Sequence, residues 1–193
     1  DEQVAKDFLA KTNEFWGLVP RPHAHRSKGV WQFDITAGPV RTSAGNPCTN
    51  WLKSHDLWGR RAPTKIIPDW FLQQANNYSI AELLGGLYDT DGSTGVSGNR
   101  RFVKYATTSR IMAYQILWCL TRLNIYSRID LGYKSKKATV PLYSLSIYDG
   151  TEIERFRSAI RLTGRKGKTL TSLSVSSHGS NYGDRLGKWA GRR

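Results

Sequence analysis

The 193-residue sequence predicts an α+β fold in which antiparallel strand pairs pack on helices, in helix–hairpin–helix–hairpin–helix units. Two observations predict it. Amphipathic helical stretches alternate with short strand-like stretches from residue 1 to about residue 170. The order of those stretches occurs twice.

Residues 1–18 keep helical spacing through Val4, Phe8, Leu9, Phe15 and Trp16, and Pro20 and Pro22 break the run. Residues 30–36 alternate as a strand, and a Gly-, Pro- and Asn-bearing loop covers 38–47. Residues 49–58 read as a short helix closed by Gly59-Arg60-Arg61-Ala62-Pro63. Lys65-Ile66-Ile67-Pro68 leads into 69–72, and Asn76, Asn77 and Ser79 punctuate the chain. After an apolar helix come a Gly/Ser turn at 93–99 and a basic, aromatic strand at 100–107. Thr108 or Ser109 caps a helix running to about Leu123. Residues 128–133 and 142–148 form a strand pair around Lys134-Ser135-Lys136-Lys137. Residues 152–162 make a further helix, ended by Gly164-Arg165-Lys166-Gly167-Lys168. From Ser172 the chain reads as a basic arm rich in Gly and Ser.

The apolar helix carries the chemistry. Ser79 and Glu82 form a capping box that starts it at Ile80. Ile80, Leu83, Leu84 and Leu87 line one face. Gly85 and Gly86 each cost about 1 kcal/mol in a helix interior relative to alanine, a loss that close approach of another backbone would offset. Asp91 falls at the negative end of the helix dipole, where a carboxylate calls for a cation. A calcium loop does not fit Asp89-Thr90-Asp91-Gly92-Ser93, because neither its glycine nor a closing glutamate falls where an EF-hand needs it. The plain alternative is a helix C-cap with Gly92 left-handed and both acids solvated.

Charge is distributed unevenly. The net charge is +14; residues 1–99 hold 10 basic and 10 acidic side chains, residues 100–193 hold 19 and 5. A one-sided excess of this size suits a polyanionic partner, nucleic acid above all. No apolar run spans a membrane, and the polar, acidic start is unlike a signal peptide, so a cytoplasmic location is expected, with nucleoid or organelle matrix as alternatives. Cys48 and Cys119 form no disulfide framework, Cys119 reading as a core thiol. His23-x-His25 reads as two solvated histidines.

The repeat divides the chain. Residues 1–18 match 108–125 as helices, 31–38 match 143–150 as strands ending in glycine, and Trp58-Gly59-Arg60-Arg61 matches Thr163-Gly164-Arg165-Lys166. Residues 1–68 are then a partial unit lacking its opening helix and hairpin, 69–171 a complete unit, and 172–193 the tail.

Leu84-Gly85-Gly86-Leu87-Tyr88-Asp89-Thr90-Asp91-Gly92 resembles the motif of the LAGLIDADG (dodecapeptide) homing endonucleases, with Leu84, Gly86, Leu87, Asp89, Asp91 and Gly92 on its defining positions. Lys65-Ile66-Ile67-Pro68 resembles the Lys-x-x-Pro block of intein-borne members. The resemblance extends to about Leu170. It implies two pseudo-symmetric αββαββα units whose antiparallel sheets form a DNA-binding saddle, with the motif helices side by side at its base. It implies that Asp91 binds Mg2+ (or Mn2+), that Gly85, Gly86, Asp89 and Gly92 build the motif, and that Lys65 and Lys168 (or Lys166) flank the scissile phosphates.

Strand residues would contact DNA: Arg100, Arg101, Lys104 and Tyr105, then Arg128, Lys134, Lys136 and Lys137, and from the partial unit Arg26, Lys28 and Gln32. Arg100 and Lys104 share one strand face, Arg101 and Tyr105 the other, and alternation does not say which is turned to DNA. No second L-x-G-x-x-x-x-D-G occurs. The expected protein is therefore a site-specific double-strand DNA endonuclease of intein origin whose first motif comes from a missing segment or a second polypeptide. The alternative is a non-catalytic DNA- or RNA-binding protein on the same fold, maturase- or regulator-like. Protein splicing is not expected, since no Cys or Ser opens the chain and no His-Asn closes it.

Overall fold

The computed structural model describes residues 1–24, 31–35, 45–133 and 139–173. Arg26, Lys28, Lys134, Lys136, Lys137 and most of the tail lie outside them.

In chain order the elements are α1 (Glu2–Trp16), β1 (Arg21–Ala24), β2 (Trp31–Asp34) and α2 (Pro47–Ser54). A 3-10 turn follows at Ala62–Thr64, then α3 (Asp69–Gln74), α4 (Asn77–Asp91), β3 (Gly92–Ser97) and β4 (Arg100–Thr107). The chain continues as α5 (Arg110–Arg122), β5 (Arg128–Tyr133), β6 (Leu142–Ile147), α6 (Gly150–Ala159) and α7 (Gly164–Ser172). The order helix–strand–strand–helix of α1 to α2 is the order of α5 to α6. β1 and β2 pair antiparallel by themselves, and the other strands form an antiparallel sheet in the order β3-β4-β6-β5. The fold is α+β. No helix among the described residues is long and apolar enough to cross a membrane.

Caps explain where the helices begin. Ser109 accepts the Met112 N–H at 3.2 Å, as the sequence suggests. The motif helix begins earlier than Ile80, because Asn76 accepts the Ser79 N–H at 2.8 Å. An asparagine just upstream thus takes the role expected of Ser79, adding a turn.

Two further expectations are corrected. Residues 92–97 are a strand paired along its length with β4, and only Gly98 and Asn99 turn. Small side chains suit it, since a Cβ on Gly95 would meet the Phe102 ring at 3.3 Å. Gly164 to Lys168 do not end a helix: Gly164, at φ 54°, opens α7, while the preceding helix stops at Ala159.

One face of the four-stranded sheet is the core. Val103, Tyr105, Leu145 and Ile147 meet Ile80, Leu84 and Tyr88 of α4, Ile116 and Leu120 of α5 and Phe156 of α6, all at most 2% exposed. The Tyr88 ring lies 5.4 Å from Tyr105 and 4.9 Å from Phe156. Cys119 is a buried core thiol, and burial pushes it up to about 11. A series of rings, Trp16, Trp51, His55 and Trp70, carries α1 and α2 onto α3 at centroid spacings of 6.3, 4.7 and 4.9 Å.

Candidate nucleic-acid and metal site

The acidic end of α4 is built by contacts far away in sequence. Asp89 accepts the Thr163 N–H at 2.9 and 3.1 Å and the Thr163 hydroxyl at 2.8 Å. It is therefore an anchor for the start of α7, the structural role implied for it. The Lys166 ammonium donates to the carbonyls of Tyr88, Asp89 and Thr90 at 3.1, 2.8 and 2.9 Å. Burial lowers the Lys166 ammonium below its ordinary value, against the pull of Asp89 and Asp91. Thr94 of β3 donates its hydroxyl to the Lys166 carbonyl at 3.3 Å, fastening the same turn to the sheet.

Asp91 is exposed. Burial, with the Asp91 charge added to it, pushes the Tyr105 phenol up to about 12. Gly92 then turns the chain directly from helix to strand. Its φ of −78° is open to any residue, so the left-handed cap does not occur. Glycine is needed for space: a Cβ would stand 2.5 Å from the Tyr88 carbonyl oxygen.

The glycine pair is divided. A Cβ on Gly85 would lie 2.8 Å from the Arg161 carbonyl oxygen, so its close backbone neighbour belongs to this chain. The backbone approach expected of the pair is thus met at Gly85, by a neighbour in this chain. Gly86 is exposed with nothing within 4 Å, on a face shared with the exposed Glu82 and Thr90.

Lys65 is exposed, and its carbonyl accepts the Ser109 hydroxyl at 2.6 Å. Ile67 is held on both backbone groups by Gln115, at 2.7 and 2.8 Å. Gly92 pairs with Tyr105, and Ser109 lies two residues past the end of β4, so Asp91 and Lys65 sit at the same end of that strand. Lys168 is exposed on α7 and lines a groove of about 580 Å³ with Gln3 and Asp7 of α1. Sequence reasoning missed Thr163 and Gln115. The signal for Gln115 was an amide among the apolar positions of α5.

The register settles which strand face is open. Residues directly paired share a face. Lys104 pairs with Ser93 and Ser146, Arg100 with Ser97, and Arg128 with Ser146, so these lie together away from the core. Lys104 stands between aromatic walls, its Nζ 5.1 Å from the Phe102 ring centre and 5.3 Å from that of Tyr148. Arg128 pairs with Asp130 at 2.8 Å. Tyr105 is on the other face, 2% exposed, so its expected place among DNA contacts is corrected. Arg101 shares that inward register and is half-buried. Gln32 is exposed on β2.

Among the described residues no three His, Cys, Asp or Glu side chains converge as a metal site. Asp89 is engaged by Thr163, which leaves Asp91 as the one acid of the motif open to a cation. One carboxylate suits a hard divalent ion but does not complete its shell; the other oxygens must come from phosphate, water or another acid.

A family model described as a LAGLIDADG-like domain matches residues 79–161. A stretch covering 66% of this chain is 32% identical to 15% of the replicative DNA helicase DnaB of Synechocystis sp.. Another, covering 62% of the chain, is 33% identical to 15% of the RecA protein of Mycobacterium tuberculosis. A longer one, 86% of the chain, is 27% identical to 18% of the DnaB of Rhodothermus marinus. These matches span less than a fifth of those relatives' length. Residues 79–161 are a LAGLIDADG-like domain.

Proposed function

We propose that this LAGLIDADG-like chain is a site-specific double-stranded DNA endonuclease, intein-derived and completed by a segment carrying a first motif. Exposed Asp91 at the end of α4, beside a basic open sheet face, carries the reading. Alignment with small parts of two differently named proteins, a helicase and RecA, fits an inserted element shared among hosts. Division into a partial unit at 1–68, a complete unit at 69–171 and a tail at 172–193 belongs to the same proposal.

Each residue has a part. Arg100 and Lys104, with Arg128, Gln32 and the segments carrying Arg26, Lys28, Lys134, Lys136 and Lys137, hold the DNA backbone and base edges. Asp91 and a second acid from the completing segment hold Mg2+ or Mn2+, which neutralises charge on the phosphate. Lys65 and Lys168 offer ammonium groups to the phosphate flanks as charge develops there. Gly86 leaves room for the completing helix, and Asp89 and Lys166 keep the acidic end in place.

The test begins by selecting bound sequences from a randomised duplex library, then measuring magnesium-dependent cleavage of those sequences by wild type and Asp91→Asn, each with the first-motif segment supplied. Wild type should cut, and Asp91→Asn should bind but not cut. Equal cleavage by both proteins sinks the mechanism. One observation favours a second reading: among the described residues no three His, Cys, Asp or Glu side chains gather into a metal site. Tight binding without cleavage, even with the first-motif segment supplied, would identify a DNA- or RNA-binding protein instead.

A further inference from the structure

Lysine carries three N–H donors and no acceptor. At Lys166 three bonds run inward, to consecutive carbonyls at the end of α4. Those carbonyls belong to the last turn, where a helix leaves acceptors short of partners, although that of Tyr88 also takes the Gly92 N–H. The ammonium also stands where the helix dipole is negative, one peptide from Asp91. Lys166 itself is held from two sides: Thr94 bonds its carbonyl, and its helix is capped by Thr163, which Asp89 grips. Lys168, two residues on, has its side chain exposed.

We propose that Lys166 is a positioning residue, an internal clamp that fixes the turn presenting Asp91 and keeps no donor for DNA. The two lysines of Gly164-Arg165-Lys166-Gly167-Lys168 then divide their work, Lys166 inward and Lys168 outward. The clamp rests on the proposed function only for its purpose, because the contacts themselves can be tested without DNA.

The first measurement is amide hydrogen exchange at Gly92, whose N–H bonds the Tyr88 carbonyl. In Lys166→Met, exchange should rise by about tenfold or more while the core amides of α5 stay protected. Unchanged exchange at Gly92 overturns the clamp. Should Lys166→Met fail to fold, Lys166→Gln carries the same comparison. Rescue separates the ammonium from general packing. Lys166→Cys alkylated with bromoethylamine restores an ammonium at nearly the same reach, and the native thiols are both buried. Slow exchange at Gly92 should return on alkylation; failure to return counts against the proposal.

A salt series with plain duplex DNA supplies the second measurement. Lys168→Met should lower the slope of log affinity against log salt by about 0.9, the effect of one lost phosphate contact. Lys166→Met should leave the slope unchanged, and an equal drop for both refutes the division of work. Should wild type bind no duplex even with the first-motif segment supplied, the endonuclease reading fails, while exchange at Gly92 still decides the clamp.

Discussion

Thr163 gives both its backbone N–H and its hydroxyl to the Asp89 carboxylate, at 2.9 and 2.8 Å, across 74 residues of sequence. Asp89→Ala would leave both donors unpaired in a half-buried place and should cost about 1–3 kcal/mol. Asp89→Asn retains an acceptor and should cost less. Thr163→Val removes only the hydroxyl and should fall between them. Urea unfolding of the three variants checks the order.

The glycines of the motif should respond in opposite directions. Alanine at Gly85 or Gly92 forces a Cβ to 2.8 or 2.5 Å from a backbone oxygen, and neither oxygen belongs to a flexible side chain. Each change should cost about 1–3 kcal/mol. Gly86→Ala meets nothing and should stabilise the chain by about 0.5–1 kcal/mol through helix propensity. Gly86→Leu should leave the isolated chain folded and abolish its assembly with a first-motif segment. Thermal melts and size-exclusion with that segment distinguish the three outcomes.

Legibility followed the range of the forces. β4 was readable to its end residues, because alternation and the following Ser109 cap are local signals. β3 was not, since Gly92 to Ser97 has only Thr94 and Val96 to favour a strand, among glycines and serines, and is held by its register with β4. The start of α4 turned on two cap residues close together, Asn76 and Ser79, between which sequence alone does not choose. Within the site, Asp91 was legible as an awkward acid at a helix end. Gly85 was legible as a close approach, but Arg161 as its neighbour was not. The inward turn of Lys166 depends on α7, which the glycines at 164 and 167 hid as a turn.

Alkaline pH should loosen the core. Burial raises the Cys119 thiol to about 11, and burial with the Asp91 charge raises the Tyr105 phenol to about 12. Each neutral form is favoured by folding, so unfolded chains lose these protons first as pH rises. The stability they contribute is complete below about pH 9 and is lost progressively up to about pH 12. Lys166 opposes this slightly. Its ammonium is lowered by burial, so the unfolded chain holds that proton longer and stability gains just below the ordinary lysine value. Urea midpoints should therefore fall through the alkaline range. Tyr105→Phe should flatten the upper part of that fall, and an unchanged profile would rule out Tyr105 as its source.

Alternation along β4 gives a sharp test of which sheet face meets DNA. Arg100 and Lys104 are in register with Ser97, Ser93 and Ser146 away from the core, whereas Tyr105 packs on Tyr88. Arg100→Ala and Lys104→Ala should each lower the salt slope of duplex binding by about 0.9, with the melting temperature nearly unchanged. Lys104 should also affect sequence choice, because the rings of Phe102 and Tyr148 hold its ammonium in one place above the sheet. Phe102→Ala should keep the slope and relax that choice, since the charge remains while its wall is gone. Tyr105→Phe should change neither affinity nor slope. A loss of affinity at Tyr105→Phe equal to that at Lys104→Ala would show that the sheet binds DNA by another surface.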